Sequence, residues 1–324
     1  MLGRSEWSFV VGKGFISSQT VYGVGSVQEQ KQEFSYLLVP AGQGVYSYAG
    51  DFNNNGVKDL NEFEIAPFTD LAEYIKVFSP TNNYIKAFNT QLSLSLSINP
   101  KVILNKKGAV GKFVSRFNTQ SSMQINRKIL RSDFSNQFNP FDLNVADTSL
   151  VSITSSQNHY LYFNRANSFY GIDLGYQNNQ SKSLLVNGFE SRENLEYYLR
   201  LRWNISKKFT TIQKISQTKK SNRSEFFTDR NYIITTRSYE PQLIFQPNRR
   251  FRISTTYFFS QGYNTYNDAN EKAIQHKGTL EGKYNLLSKS NLTAKITYAN
   301  ISFNAKADSP SGYAILQGDR KSVV

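Results

Sequence analysis

The sharpest chemical spacing in this chain is the run Asp51-Phe-Asn-Asn-Asn-Gly-Val-Lys-Asp-Leu-Asn-Glu62. It fits the twelve-residue calcium loop D-x-[DN]-x-[DN]-G-x5-E without a gap. Calcium is a hard cation that takes six to eight oxygen ligands. Asp51, Asn53 and Asn55 would supply side-chain oxygens, Val57 its backbone carbonyl, Asp59 a direct or water-bridged oxygen, and Glu62 two more. Gly56 allows the sharp turn between them. An EF-hand brackets such a loop with helices, but here 45–48 reads as strand and Pro67 interrupts whatever follows. The expectation is a lone structural Ca2+ loop between extended segments, with a Kd on the order of 0.1 to 1 mM. A metal-free Asn/Gly-rich surface turn is the plainer alternative.

Other chemistry is sparse. The chain has no Cys, which removes disulfides, zinc thiolates and thiol nucleophiles. Its two histidines, His159 and His276, lie on separate candidate strands or loops without a flanking catalytic motif. No phosphate-cradling glycine loop, zincin helix or G-x-S-x-G elbow occurs. The expectation is a protein that is not an enzyme. A formal charge of +14 calls for an anionic partner. The basic groups at Lys207-Lys208, at Lys219-Lys220 with Arg223, and at Arg249-Arg250 fall at turns and strand ends. Solvation or contact with anionic lipid headgroups accounts for them, and nucleic acid is not expected as a partner.

The elements that carry these residues read as β throughout. In 193–205, Tyr197, Leu199, Leu201, Trp203 and Ile205 alternate with Glu196, Tyr198, Arg200, Arg202 and Asn204. Successive strand side chains point to opposite faces, so this strand has one apolar and one wet face. The same alternation marks ten candidate strands at 84–98, 112–126, 149–163, 167–177, 193–205, 208–219, 231–246, 250–263, 273–286 and 291–304. Short polar turns centre near Arg165, Ser206, Pro247 and Ser288, each 41 residues after the last, with longer polar connections such as 178–192, 219–230 and 264–272 between them. Short turns at one end and long loops at the other are the layout of an antiparallel outer-membrane β-barrel. Trp203, Phe209, Phe245 and Phe251 by the turns, and Tyr257, Phe259 and Tyr263 farther along, would form its aromatic girdles. Arg200, Arg202, Lys283 and Lys295 would face the lumen. No run of 18 apolar residues exists, so a transmembrane helix is not expected. A secreted calcium-dependent β-sandwich adhesin or binding module is the alternative, with shorter strands of about 5 to 6 residues.

The domain reading is a β-rich lead segment over 1–83, with short strands at 7–11, 33–39 and 44–48, followed by the barrel over 84–324. Several phrases carry a family likeness: Glu33-Phe-Ser-Tyr-Leu-Leu-Val-Pro-Ala-Gly-Gln-Gly-Val-Tyr-Ser-Tyr48 leading into the Asp51 loop, then Asn61-Glu-Phe-Glu-Ile-Ala66, Tyr74-Ile-Lys-Val-Phe78, Leu184-Leu-Val-Asn-Gly-Phe-Glu190 and Arg202-Trp-Asn-Ile-Ser206. With these the chain resembles the C-terminal part of large cell-surface proteins of the Bacteroidota. The resemblance implies a terminal outer-membrane barrel with loops to the cell exterior, and it brings no activity. Outer-membrane lipid is the expected partner, with other surface or secretion components beside it. Tyr313-Ala-Ile-Leu-Gln-Gly318 resembles the start of a family segment from which 319–324 depart, and the first residues lack a signal peptide. The expectation is therefore an incomplete, C-terminally truncated barrel with a role in surface assembly or transport.

Overall fold

The computed structural model describes residues 3–104, 108–130, 138–143, 149–185, 188–225, 231–266, 271–286 and 290–304. They form one antiparallel sheet of 14 strands. The strands are β1 (Gly3–Val11), β2 (Ile16–Leu38), β3 (Tyr46–Tyr48), β4 (Phe63–Ile65), β5 (Tyr74–Ile98), β6 (Phe117–Ile129) and β7 (Leu150–Phe163). After them come β8 (Tyr170–Leu185), β9 (Gly188–Asn204), β10 (Phe209–Ser224), β11 (Tyr232–Phe245), β12 (Phe251–Asn264), β13 (Glu271–Leu286) and β14 (Ser290–Asn304). Apart from the short β3–β4 hairpin, each strand pairs with its successor along the order β1-β2-β5-β6 and so on to β14. Among the described residues β1 and β14 do not pair with each other, so the sheet is not closed.

Register settles which side chains share a face, because directly opposed residues in an antiparallel pair point the same way. Leu174 opposes Leu199, Leu199 opposes Ile215, Ile215 opposes Tyr239, and Tyr239 opposes Phe259. Farther along, Leu280 opposes Ile296. One face is therefore apolar from strand to strand. The other carries Arg200, Lys214, Glu281 and Lys283, joined in the ion pairs Arg200–Asp173 (3.1 Å), Lys214–Glu196 (2.9 Å) and Lys283–Glu281 (2.5 Å). The wet-face expectation for Arg200, Arg202, Lys283 and Lys295 follows the same register.

The ten strands expected between 84 and 304 are β5 to β14, with revised ends. The strand expected over 112–126 begins only at Phe117, because α2 (Gly108–Val114) follows α1 (Lys101–Leu104) in the β5–β6 connection. Val110, Phe113 and Val114 have the i, i+3, i+4 spacing of a helix face rather than strand alternation. The long connection expected over 178–192 is instead the paired tip of the β8–β9 hairpin, with Asn179 opposite Asn194 and Leu185 opposite Gly188. Over 177–183 both faces are polar, so no alternation signals the strand. The short strand expected at 33–39 is the end of β2, 23 residues long, which pairs with β5 along its length. β5 itself passes through residue 83 unbroken. Pro80 is accommodated because the β2–β5 ladder shifts register between Gln30 and Gln32, where no amide is needed from it.

The short turns are closed by their own side chains. Asn167 Oδ1 accepts from the amides of Phe169 (2.7 Å) and Tyr170 (3.3 Å). Ser206 Oγ accepts from Lys208 and Phe209 (both 3.2 Å), and Asn248 Oδ1 from Arg250 and Phe251 (both 2.9 Å). Such Asx and Ser turns occupy the very backbone groups that the ladder leaves free at its end. The turn expected at Ser288 lies outside the described residues, as does 313–324.

Candidate functional site

Residues 49–62 form the connection of the β3–β4 hairpin, whose register pairs Tyr46 with Ile65 and Tyr48 with Phe63. The loop is bound by its own oxygens. Asp51 accepts from the amides of Asn55 (3.2 Å) and Gly56 (2.7 Å), and Gly56 lies at φ +73°. Asn53 Oδ1 accepts from the amide of Asn55 (3.1 Å), and Asn55 Oδ1 from that of Val57 (2.7 Å). The amide groups of Asn53 and Asn55 both donate to Asp59 Oδ2, at 2.7 and 2.9 Å. Glu62 is fully buried and accepts from the amides of Phe52 and Asp59 (both 2.9 Å) and from the Tyr48 hydroxyl (3.3 Å). The backbone amides, Gly56 foremost, hold the Asp51 carboxyl below its ordinary range and so keep it ionised at neutral pH.

Five of the expected ligand residues, Asp51, Asn53, Asn55, Asp59 and Glu62, thus turn their side chains into one loop. Lys58, the cation within it, instead donates to the Tyr74 hydroxyl (2.6 Å) and lies over the Tyr48 ring. Three carboxylates against one diverted ammonium leave the loop with an excess of negative charge. The arrangement is not a finished coordination sphere. Among the described residues no three His, Cys, Asp or Glu side chains converge to hold a metal. Asn53 and Asn55 present nitrogen, not oxygen, to Asp59, so a bound ion requires their amides to turn. Sequence spacing did not reveal the anchoring: the Phe63 ring stacks on Tyr36 (4.0 Å between centroids) and meets Tyr74 edge-on (5.0 Å).

The second candidate site is the apolar face of the sheet. Phe117, Phe163, Tyr170, Trp203, Phe209, Phe245, Phe251 and Tyr284 form a row beside the short turns, opposed in pairs across the strands. Phe117 and Phe163 lie 4.9 Å apart, and Phe209 and Phe245 4.6 Å. Nearer the other end Tyr176, Tyr197, Tyr257, Phe259 and Tyr263 occupy the same face. Between the rows a shallow groove of about 840 Å³ runs over Leu161, Leu174, Leu199 and Ile215. Ile215 is 55% exposed and Ile296 70%, with no second sheet against them among the described residues. Cover is present at the long-loop end of β5–β7, where Leu143 packs on Ile129, Leu150 and Ile153 and Asp142 pairs with the buried Arg127 (3.6 Å), and at the short-turn end, where Phe113 of α2 meets Phe117 and Phe163.

No family model, characterised protein or solved structure matches this chain.

The histidines take part in this same face. His276 Nδ1 meets the Tyr257 hydroxyl at 2.7 Å, and the His159 ring stacks on Tyr176. Among the described residues neither imidazole bonds to a carboxylate, so no Ser/His/acid constellation is assembled there.

Proposed function

We propose that these strands are wall strands of an outer-membrane β-barrel of the Bacteroidota surface-protein kind, non-enzymatic, serving surface assembly or transport. The observation that carries this reading is the apolar face, exposed from β8 to β14 and bounded by two aromatic rows. From Phe251 to Tyr263 is twelve residues along β12, about 40 Å at strand rise. At a tilt of about 40° that is about 30 Å across a bilayer. A β-sandwich hides its apolar face against a second sheet, whereas among the described residues a single sheet leaves much of that face exposed, which supports contact with lipid. The polar face, with three ion pairs and further cations such as Arg202 and Lys295, suits a wetted lumen. A bilayer also requires the β1 and β14 edges to be paired, since hydrocarbon offers no hydrogen bonds to a free ladder.

In this reading the short turns face the periplasm and the Asp51 loop stands outside the cell, at the long-loop end. A calcium ion there would be held by Asp51, Asn53, Asn55, the Val57 carbonyl, Asp59 and Glu62, bracing the hairpin that packs on β5. Its chemistry is charge neutralisation only. The deciding experiment is fractionation followed by gel mobility in detergent. Recovery in the outer membrane, with boiled and unboiled samples migrating differently, supports the barrel. A water-soluble protein of unchanged mobility overturns it and favours a secreted adhesin.

A further inference from the structure

The helical insertion between β5 and β6 builds a cavity at the short-turn end that the wall function does not use. It measures about 720 Å³ and is lined by Lys101, Lys112, Arg116 and Arg165 together with Asn118 and Asn164. Four cations converge there without a carboxylate among the lining residues. Among the described residues none of the four forms an ion pair. Gathering like charges is unfavourable unless an anion is meant to sit between them.

The cavity is built rather than incidental. The amide of Asn164 donates to the Arg116 carbonyl (2.9 Å), which ties the β7–β8 turn to the end of the insertion. Asn164 sits at φ +55°, and its side chain is more than nine-tenths buried, with Nδ2 lacking any hydrogen-bond partner. A buried donor left unmade costs free energy, so a partner is expected in the space it faces. Asn118 Oδ1, also on the cavity wall, is a buried acceptor without a hydrogen-bond partner. The Arg165 guanidinium carbon lies 4.2 Å from the Tyr162 ring centroid, and its Nη1 donates to Gln120 Oε1 (3.5 Å). Guanidinium forks and amide N–H groups around one pocket are the recognition chemistry of phosphate oxygens.

We propose that this cavity binds a phosphate group, carried either by a phospholipid headgroup or by a soluble phosphorylated compound. The proposal stands on the cavity alone and does not depend on the barrel reading. The test uses the full chain folded in an uncharged, phosphate-free detergent, titrated calorimetrically with glycerol 3-phosphate, inorganic phosphate and short-chain phosphatidylglycerol. One saturable site is expected for at least one probe. Asn164→Gly keeps the left-handed turn and removes only the amide, so it should weaken binding roughly tenfold or more, the scale of one charge-assisted hydrogen bond. Arg116→Gln with Arg165→Gln should weaken it further, and Lys101→Gln with Lys112→Gln serves if the first variant misfolds. Lys207→Gln with Lys208→Gln, on the exposed β9–β10 turn, should leave it unchanged. Preference for the lipid over glycerol 3-phosphate assigns the site to a headgroup, and the reverse assigns it to a soluble ligand. Absence of saturable binding, or equal loss in the Lys207/Lys208 control, overturns the proposal.

Discussion

Glu62 is the residue on which the loop turns. Its buried carboxylate closes the loop against two amides and a tyrosine hydroxyl, so Glu62→Ala leaves three donors unmade at once. Each unmade group costs about 1–3 kcal/mol, and the variant should release the β3–β4 hairpin to limited proteolysis. Calorimetric titration of the folded chain with calcium should give a Kd on the order of 0.1 to 1 mM. Heat that is absent, or that survives Glu62→Ala, rejects the ion. Asp51 sets a pH dependence of known sign. Its folded carboxyl lies below the ordinary value, so its share of loop stability is full above the unfolded pKa. That share is lost as pH falls through the depressed folded value. Hydrogen-exchange protection of the Gly56 amide should follow the same course, and Asp51→Ala should flatten it.

At the level of the strand, the two faces make opposite predictions for one chemical change. Ile215 and Thr218 are three residues apart on β10 and face opposite ways. A charge on a lipid-facing strand costs about 2–4 kcal/mol near the bilayer midplane, whereas lumen substitutions are tolerated. Ile215→Lys should therefore lose that much stability in liposome unfolding, and Thr218→Lys should lose little. Equal, small effects would mean that the apolar face meets water. Gly44 marks the close approach of the hairpin to β5. A Cβ there would stand 2.6 Å from the Tyr74 nitrogen and 2.7 Å from the Ala72 oxygen, both backbone atoms that cannot step aside. Gly44→Ala should destabilise the hairpin by about 1–3 kcal/mol, read as earlier proteolytic release of the loop while the rest of the sheet persists.

For the molecule as a whole, the apolar face and the open edges set the same requirement. A single sheet with an uncovered apolar face and two unpaired edges is an aggregation template in water. The chain should thus precipitate on dilution from denaturant into buffer and fold only when detergent or lipid is supplied. Recovery of a monodisperse, folded, detergent-free species would count against the membrane-wall reading.

Much of this was legible in the residues themselves. Alternation such as Tyr197-Tyr198-Leu199-Arg200-Leu201-Arg202 prescribes a strand with two unlike faces, because the side-chain period of a strand is two. Asn167, Ser206 and Asn248 mark three of the turns because their side chains bond the backbone locally. The spacing of Asp51 to Glu62 likewise marked a loop whose side chains bond its own backbone. Local chemistry was silent where both faces are polar, as over 177–183 of β8, and where two short helices interrupt a strand-rich region. Only the tertiary structure decided that β1, β2 and β5 continue the same sheet, since that depends on pairing between residues as distant as Ile16 and Ile98. It alone brought Lys101, Lys112, Arg116 and Arg165 around one buried asparagine. Strand periodicity is written in neighbours along the chain, whereas a pocket is written in neighbours across it, and the spacing of residues in sequence carries no distance between segments that meet only when the sheet is assembled.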